Sequence, residues 1–286
     1  MKRIVWLASY PKSGNTWLRI FMANLLSDGT EPVDINQLGG GCAASSREAF
    51  DMVAGIEAGE LTHGEIDRIR PDAYRTMSER ASGTILVKTH DAYQRLDDGG
   101  ALFPADVTLG AVYLVRNPLD VCVSFAHHGG GLEFARVART MADPDYAMSA
   151  STGRQHHQLR QWLSSWSGHV ESWTRAEIPV HVVRYEDLQS RPVETFTGAA
   201  AFIGVPHDRM TVEQAVARSS FDEVQSQERQ RGFRERPSVA ASFFRKGGVG
   251  GWREVLSREV AEQIVGAHGD VMRRLGYLSP EGEIVY

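Results

Sequence analysis

Cysteine is scarce in this chain, with only Cys42 and Cys122 among 286 residues. Cys122 stands between Val121 and Val123, the setting of a small buried residue rather than of a disulfide. No Cys/His spacing of a metal-binding type occurs. A disulfide-stapled scaffold and a structural zinc site are thereby excluded, and a reducing compartment is expected. Long apolar runs are also missing. None approaches the roughly 20 residues of a membrane span. Met1-Lys2-Arg3 leads straight into a strand-like segment, without the apolar core and small-residue cleavage site of a signal peptide. Nor is there an excess of positive charge: 31 Lys and Arg stand against 36 Asp and Glu, a net charge of −5. That balance argues against a nucleic-acid partner and against attachment to a membrane by charge. Repeats, low-complexity tracts and linkers are absent too. A cytoplasmic protein of one domain over 1–286 is expected.

What is present is an alternation of short apolar runs with helical patterns. The runs cover 4–8, 84–88, 110–115 and 180–185, and each gives way to polar residues or proline. This predicts an α/β fold, a central parallel sheet flanked by helices. Ligands of such sheets bind beyond the carboxyl ends of the strands. Lys12, Lys88-Thr89-His90, Arg116-Asn117 and Glu186-Asp187 are therefore the places to seek chemistry. Two looser regions intervene. Residues 27–83 carry Gly39-Gly40-Gly41 and short helical segments such as 47–58. Residues 127–157 carry Gly129-Gly130-Gly131 and read as a loop or lid. Leu159, Trp162, Leu163, Trp166, Val170 and Trp173 form a stripe at helical spacing, read as a core-facing helix.

The first run ends in Tyr10-Pro11-Lys12-Ser13-Gly14-Asn15-Thr16-Trp17, and a helical pattern starts at Trp17. A strand, a short loop with Lys and Gly, and a helix start make an anion site, because first-turn N–H groups lack intrahelical partners and the helix dipole favours negative charge. By itself the segment reads either as a phosphate or sulfate cradle or as an ordinary connection with solvated side chains. It is not the nucleotide-triphosphatase loop, in which Lys follows the last Gly as G-x-x-x-x-G-K-[ST]. Here Lys12 precedes Gly14.

The segment resembles the phosphosulfate loop of sulfotransferases that use 3′-phosphoadenosine 5′-phosphosulfate (PAPS), Y-P-K-[SA]-G-[TN]-T-W, with a single-domain fold and a P-loop-like strand–loop–helix. Further segments resemble that family in the family's order. Lys88-Thr89-His90 looks like its K-T-H, whose His is the catalytic base, although Asp91-Ala92-Tyr93 replaces the Pro-containing turn common in eukaryotic members. Arg116-Asn117-Pro118-Leu119-Asp120, with Ser124 further on, resembles R-[ND]-P-x-D-x-x-x-S, the 3′-phosphate site; the alternative is Arg116 paired with Asp120 on a solvated face. Residues 245–253, after a basic stretch from Gln225 to Lys246, resemble R-K-G-x-x-G-x-W-K, with Arg253 in place of the last Lys. Tyr185-Glu186-Asp187 and Ser219-Ser220-Phe221 resemble the segments whose Tyr and Phe meet the adenine.

The resemblance implies transfer of a sulfuryl group from PAPS, leaving 3′-phosphoadenosine 5′-phosphate (PAP), to a hydroxyl or amine of a small-molecule or natural-product acceptor, without a metal. It implies His90, Lys12 and Lys88 as catalytic residues. Lys12, Ser13, Gly14, Asn15, Thr16 and Trp17 would bind the 5′ end and base of the donor. Arg116, Ser124, Arg245, Lys246 and Gly247 would take its 3′-phosphate, with Tyr185 and Phe221 at the adenine. Residues 27–83 and 127–157 would lie on the acceptor side. The alternatives are a P-loop-type small-molecule kinase, against which the order of Lys12 and Gly14 speaks, and a non-catalytic nucleotide-binding protein. No dimerisation motif of the family is evident near the C-terminus.

Overall fold

The computed structural model describes residues 2–38, 43–151 and 156–286. Gly39, Gly40, Gly41 and Cys42 lie outside the described residues, as do 152–155. In chain order the elements are β1 (Ile4–Ser9), α1 (Asn15–Leu25), α2 (Arg47–Ala54), α3 (His63–Arg80), β2 (Ile85–Thr89), β3 (Thr108–Val115), α4 (Pro118–His128), α5 (Phe134–Ala142), β4 (Ala147–Met148) and β5 (Gln161–Trp162). There follow α6 (Trp166–Thr174), β6 (Val180–Arg184), α7 (Tyr185–Ser190), α8 (Pro192–Ile203), α9 (Arg209–Arg218), α10 (Phe221–Arg231) and α11 (Arg258–Arg274). The four expected apolar runs form one sheet in the order β2-β1-β3-β6, the central parallel sheet of an α/β fold. By internal packing the chain divides into two compact units, Met1–Tyr10 with Gly40–Tyr113 and Pro144–Val182, and Pro11–Gly39 with Leu114–Asp143 and Val183–Tyr286.

In the first unit every residue of β1 is buried, as a strand covered on both faces requires. β1 pairs in parallel with β2 from Ile4↔Ile85 to Ala8↔Thr89, which sets their carboxyl ends side by side. The Trp6 ring meets Tyr74 of α3 and Phe103 edge-on at 4.9 and 4.8 Å, and its indole N–H donates to Thr108 Oγ1 at 3.0 Å. Region 27–83 is less loose than its composition implies. α3 is an 18-residue helix started by a capping box of Thr62 and Glu65, and it continues through Pro71, whose type reads as a breaker in the sequence.

The stripe from Leu159 to Trp173 is not one helix. β5 pairs antiparallel with β4, and the N–H groups of Leu163 and Ser164 both donate to the Tyr146 carbonyl. Ser164 takes a left-handed conformation (φ 60°), and the Ser165 hydroxyl caps α6 by accepting from the Gly168 N–H at 3.0 Å. Two adjacent serines thus delay the helix until Trp166. The core-facing part of the reading holds: Leu159, Leu163, Trp166, Val170 and Trp173 are all buried.

In the second unit α1 packs on α8 and α9, with Phe21 and Phe196 stacked at 4.0 Å. The three glycines after α4 do not open a long loop. Gly131 and Leu132 both donate to the Ala126 carbonyl at 3.0 Å and Gly130 donates to that of His127, a hydrogen-bonded turn that leads directly into α5. Residues 225–231 of the basic stretch belong to α10 rather than to a loop.

Candidate active site

His90 follows β2 at the end where β1 and β2 finish together. Its Nδ1 lies 2.8 Å from the Ser9 carbonyl and 3.3 Å from the Ser9 hydroxyl. A carbonyl only accepts, so Nδ1 carries the proton and, in the neutral ring, the lone pair resides on Nε2. The backbone of His90 is held as well. His169 Nε2 donates to the His90 carbonyl at 3.1 Å, which leaves His169 Nδ1 to accept from the Tyr113 hydroxyl at 2.9 Å. His169 is completely buried, and burial lowers its pKa to about 4, so it stays neutral and keeps this tautomer.

The next residue, Asp91, is equally buried and binds Arg70 of α3 through two hydrogen bonds, at 3.1 and 2.6 Å. It also accepts from the Trp162 N–H at 3.2 Å and the Thr89 hydroxyl at 3.3 Å, while its carbonyl accepts from the Trp173 indole at 3.0 Å. Here lies the reason for the departure from the expected turn: an ion pair fixes the backbone after the histidine. Sequence reasoning missed Arg70, Asp91 and His169. A lone Arg in a polar helix and a lone His on a Trp-rich stripe carry no local signal of their partners.

The second unit assembles the anion cradle. Lys12 (φ 70°) and Gly14 (φ 102°) are both left-handed, with Ser13 between them, the alternation from which anion-binding nests are built. α1 starts at Asn15, two residues before the sequence pattern implies, so Asn15 and Thr16 occupy its first turn, and Gly14 at the cap position supplies no side chain. Ser13 is fully buried and its hydroxyl has no hydrogen-bond partner among the described residues. Lys12 Nζ lies 3.2 Å from His128 Nδ1 and 4.0 Å from the centre of the Phe243 ring.

Arg116 joins three segments of this unit. Its guanidinium donates to the Lys12 carbonyl at 3.3 Å and to the Gly248 carbonyl at 2.8 Å, and it covers the Tyr185 ring at 4.1 Å. Its Nε is buried with no partner among the described residues. It is not paired with Asp120, whose carboxylate instead accepts from the Gly250 and Trp252 N–H groups at 2.7 and 3.1 Å. Asp120 thereby fixes the glycine segment of 245–253 to α4. The Tyr185 hydroxyl donates to the Gly247 carbonyl at 2.5 Å, and the Trp17 ring stands edge-on to Tyr185 at 5.8 Å. A methyl group on Gly247 would lie 2.3 Å from Phe221 Cδ2. Gly14, Trp17, Arg116, Tyr185, Phe221 and Gly247 are thus brought together by contact. Ser124 lies further along α4. Lys246 is in an exposed ion pair with Glu254 at 2.6 Å. Arg245 has its pKa lowered, first by partial burial and then by Arg116; burial and the charges of Arg245 and Lys246 lower that of His127. These positive groups press on one another, an arrangement that a nearby negative charge would relieve.

Among the described residues no group of three or more His, Cys, Asp or Glu is placed to hold a metal ion, and no helix is long and apolar enough to cross a membrane. Residues 2–276 match the family model described as "Sulfotransferase domain". The chain is 26% identical to a flavonol 3-sulfotransferase of Flaveria bidentis, over 91% of this chain and 78% of that protein. It is 24% identical to cytosolic sulfotransferase 17 of Arabidopsis thaliana, over 96% of this chain and 75% of that one. A crystal structure of a mouse sulfotransferase complexed with PAP superposes with a TM-score of 0.61 at 20% identity, covering 96% of this chain and 85% of that one, and so shares its fold. With the family model matched from residue 2 to 276, the chain belongs to the sulfotransferase family.

Proposed function

We propose that this sulfotransferase takes its sulfuryl group from PAPS and passes it to a hydroxyl or amine of a small-molecule acceptor, within one domain over 1–286, in the cytoplasm and without a metal. The observation that carries the donor is the cradle of the second unit: a buried Ser13 hydroxyl and Arg116 Nε without partners, beside two glycines where a side chain would strike aromatic rings. Such groups fit the phosphate oxygens and adenine of a 3′-phosphorylated nucleotide, as the PAP in the mouse relative supports. Bound PAPS supplies the activated sulfuryl group. Backbone N–H groups of residues 13–16, with Ser13 and Thr16, hold the 5′-phosphate. Arg116, Ser124, Arg245, Lys246 and Gly247 hold the 3′-phosphate. Trp17, Tyr185 and Phe221 clasp the adenine.

The tautomer of His90 supports its role as the base. With Nδ1–H donated to the Ser9 carbonyl, Nε2 is the nitrogen that accepts the acceptor's proton. Lys12 stabilises charge on the leaving oxygen and Lys88 orients the transferring group, so positioning and electrostatics supply most of the rate. Residues 27–83 and 127–157 furnish the acceptor side. The flavonol named for the Flaveria relative makes an aromatic alcohol a natural first acceptor class to assay.

A thermal-shift panel of PAP, ATP and ADP, each with and without Mg²⁺, tests the donor. PAP at ~100 times its dissociation constant should add roughly 2.7 kcal/mol, with no dependence on Mg²⁺. Stabilisation by ATP with Mg²⁺ in place of PAP would identify a kinase instead. His90→Ala should remove turnover while PAP binding persists, and loss of both together would end the base assignment.

A further inference from the structure

A second cluster of cations, absorbed by none of these roles, lies in the first unit beside the end of β2. The Ala44 N–H donates to the Lys88 carbonyl at 2.8 Å, so residues 44–47 leave β2 just before His90. The same segment pairs with 157–159: Leu159 N–H donates to the Ser45 carbonyl at 2.8 Å and Arg47 N–H to the His157 carbonyl at 3.2 Å. Arg47 Nε donates to the His156 carbonyl at 2.8 Å. That bond accounts for one edge of the guanidinium only. Arg47 Nη1 and His156 Nε2 are both shielded from solvent, and neither makes a hydrogen bond among the described residues. Arg160 follows, with Nη1 4.0 Å from Asp67 of α3, and Asp67 is shared with Arg70 at 3.3 Å. His63 stands one helical turn before Asp67 on α3.

Arg70 and Arg160 share Asp67 and Arg70 also holds Asp91, whereas Arg47 is in no ion pair among the described residues. Burial lowers the pKa of His63 first, and the charges of Arg160, Arg47 and His156 lower it further, while Asp67 opposes them. A shielded guanidinium N–H left without an acceptor destabilises the fold, more so when the charge itself is uncompensated. Purely structural arginines tying 44–47 to 156–160 would not leave that edge open. An open edge of a planar cationic donor fork matches a carboxylate.

We propose that Arg47, with His156, Arg160 and His63, forms a subsite for a carboxylate on the acceptor, so that the substrate is a hydroxy acid. The inference rests on the reading of His90 as the base. Arg47 follows Ala44 by three residues, a reach of at most about 11 Å. Aryl and biaryl hydroxy acids, which place hydroxyl and carboxylate at graded separations within that order of reach, are the acceptors that suit the pair.

The test uses the full chain, PAPS and matched series of hydroxylated aryl and biaryl carboxylic acids with their methyl esters and primary amides. The acids should show kcat/KM at least tenfold above their esters and amides, the difference falling on KM. Arg47→Gln should raise KM for the acids until the preference disappears, Arg160→Gln should reduce it, and the apparent KM for PAPS should not change. A biaryl carboxylic acid without a hydroxyl should inhibit competitively against the acceptor and bind wild-type protein by calorimetry; this arm needs neither turnover nor a folded variant. Equal turnover of acid and ester, or a preference that survives both substitutions, would overturn the subsite and leave the sulfuryl-transfer reading standing. Absence of calorimetric binding by the carboxylic acid would overturn it as well. Absence of turnover across every series, with PAP bound, would count against the transfer reading itself.

Discussion

At the scale of single residues, Gly247 and Gly14 leave their neighbours no room for a methyl group. Gly247 has φ 63° and a Cβ there would meet Phe221 Cδ2 at 2.3 Å; Gly14 has φ 102° and its Cβ would meet Tyr185 Cδ2 at 2.8 Å. Both substitutions must displace a ring that we assign to the adenine, at a cost of about 1–3 kcal/mol. Gly247→Ala should therefore weaken PAP binding by calorimetry tenfold or more. Gly55→Ala is the comparison, since φ is also positive (69°) but nothing lies within 4 Å. It should lower stability and leave PAP affinity alone. The Arg70–Asp91 pair makes a different prediction. Removing Asp91 takes the bidentate partner from a completely buried guanidinium and leaves it only the 3.3 Å contact to Asp67, so Asp91→Ala should cost about 3 kcal/mol in urea unfolding. A change below 1 kcal/mol would show that Arg70 finds another partner.

At the scale of elements, the strand–loop–helix of β1 and α1 was legible except for the helix start, which lies two residues earlier than the apolar period implies, because an apolar run followed by Lys, Gly and a helical period has few other solutions. Arg116 was legible too, but its partner was not. The spacing of Arg116 and Asp120 reads equally well as a surface pair, and only the fold reveals that Asp120 binds backbone far along the chain, at Gly250 and Trp252. The same limit hid Glu186, whose carboxylate accepts from the Asn117 N–H at 2.9 Å and the Tyr277 hydroxyl at 2.8 Å. Long-range hydrogen bonds leave no period in a sequence, whereas capping serines do leave a signal: Ser164-Ser165 before Trp166 marks the helix start that the apolar stripe masked. The Asp120 contact is testable as a property of the 245–253 segment. Asp120→Ala should free that segment from α4, leaving the Gly250 and Trp252 N–H groups without their acceptor. PAP affinity should fall about tenfold, and hydrogen exchange should rise over 245–253 while β1 and α1 stay protected. Unchanged exchange there would mean that Arg116 and Tyr185 suffice to hold the segment.

For the whole molecule, acid sensitivity follows from two histidines, one in each packing unit. His169 is completely buried between the Tyr113 hydroxyl and the His90 carbonyl, and His268 is buried on α11; burial lowers both pKa values to about 4 from an ordinary 6.5. The sign is fixed by which state holds the proton. Between pH 6.5 and 4 the unfolded chain binds protons at these rings and the folded chain does not, so stability falls as pH falls through that window and is complete above it. A full shift of that size corresponds to roughly 3 kcal/mol for each ring. Asp67 and Glu186 act in the opposite direction, since burial raises their pKa values and lets the folded state take up protons first. The opposing carboxylates offset part of the decline that the two histidines set. Urea unfolding at pH 7.5, 6.0 and 5.0 measures it directly. His268→Gln removes one titrating ring without touching the hydrogen bonds around His90, and should flatten the slope by about half; an unaltered slope would place the acid sensitivity elsewhere. His169 carries a further consequence. Its protonation forces Nδ1 to donate where it now accepts from Tyr113, which disturbs the bond that its Nε2 makes to the backbone of the base. A proton on His169 therefore acts on activity as well as on stability, and the acid-side loss of activity should persist in His268→Gln, which keeps His169.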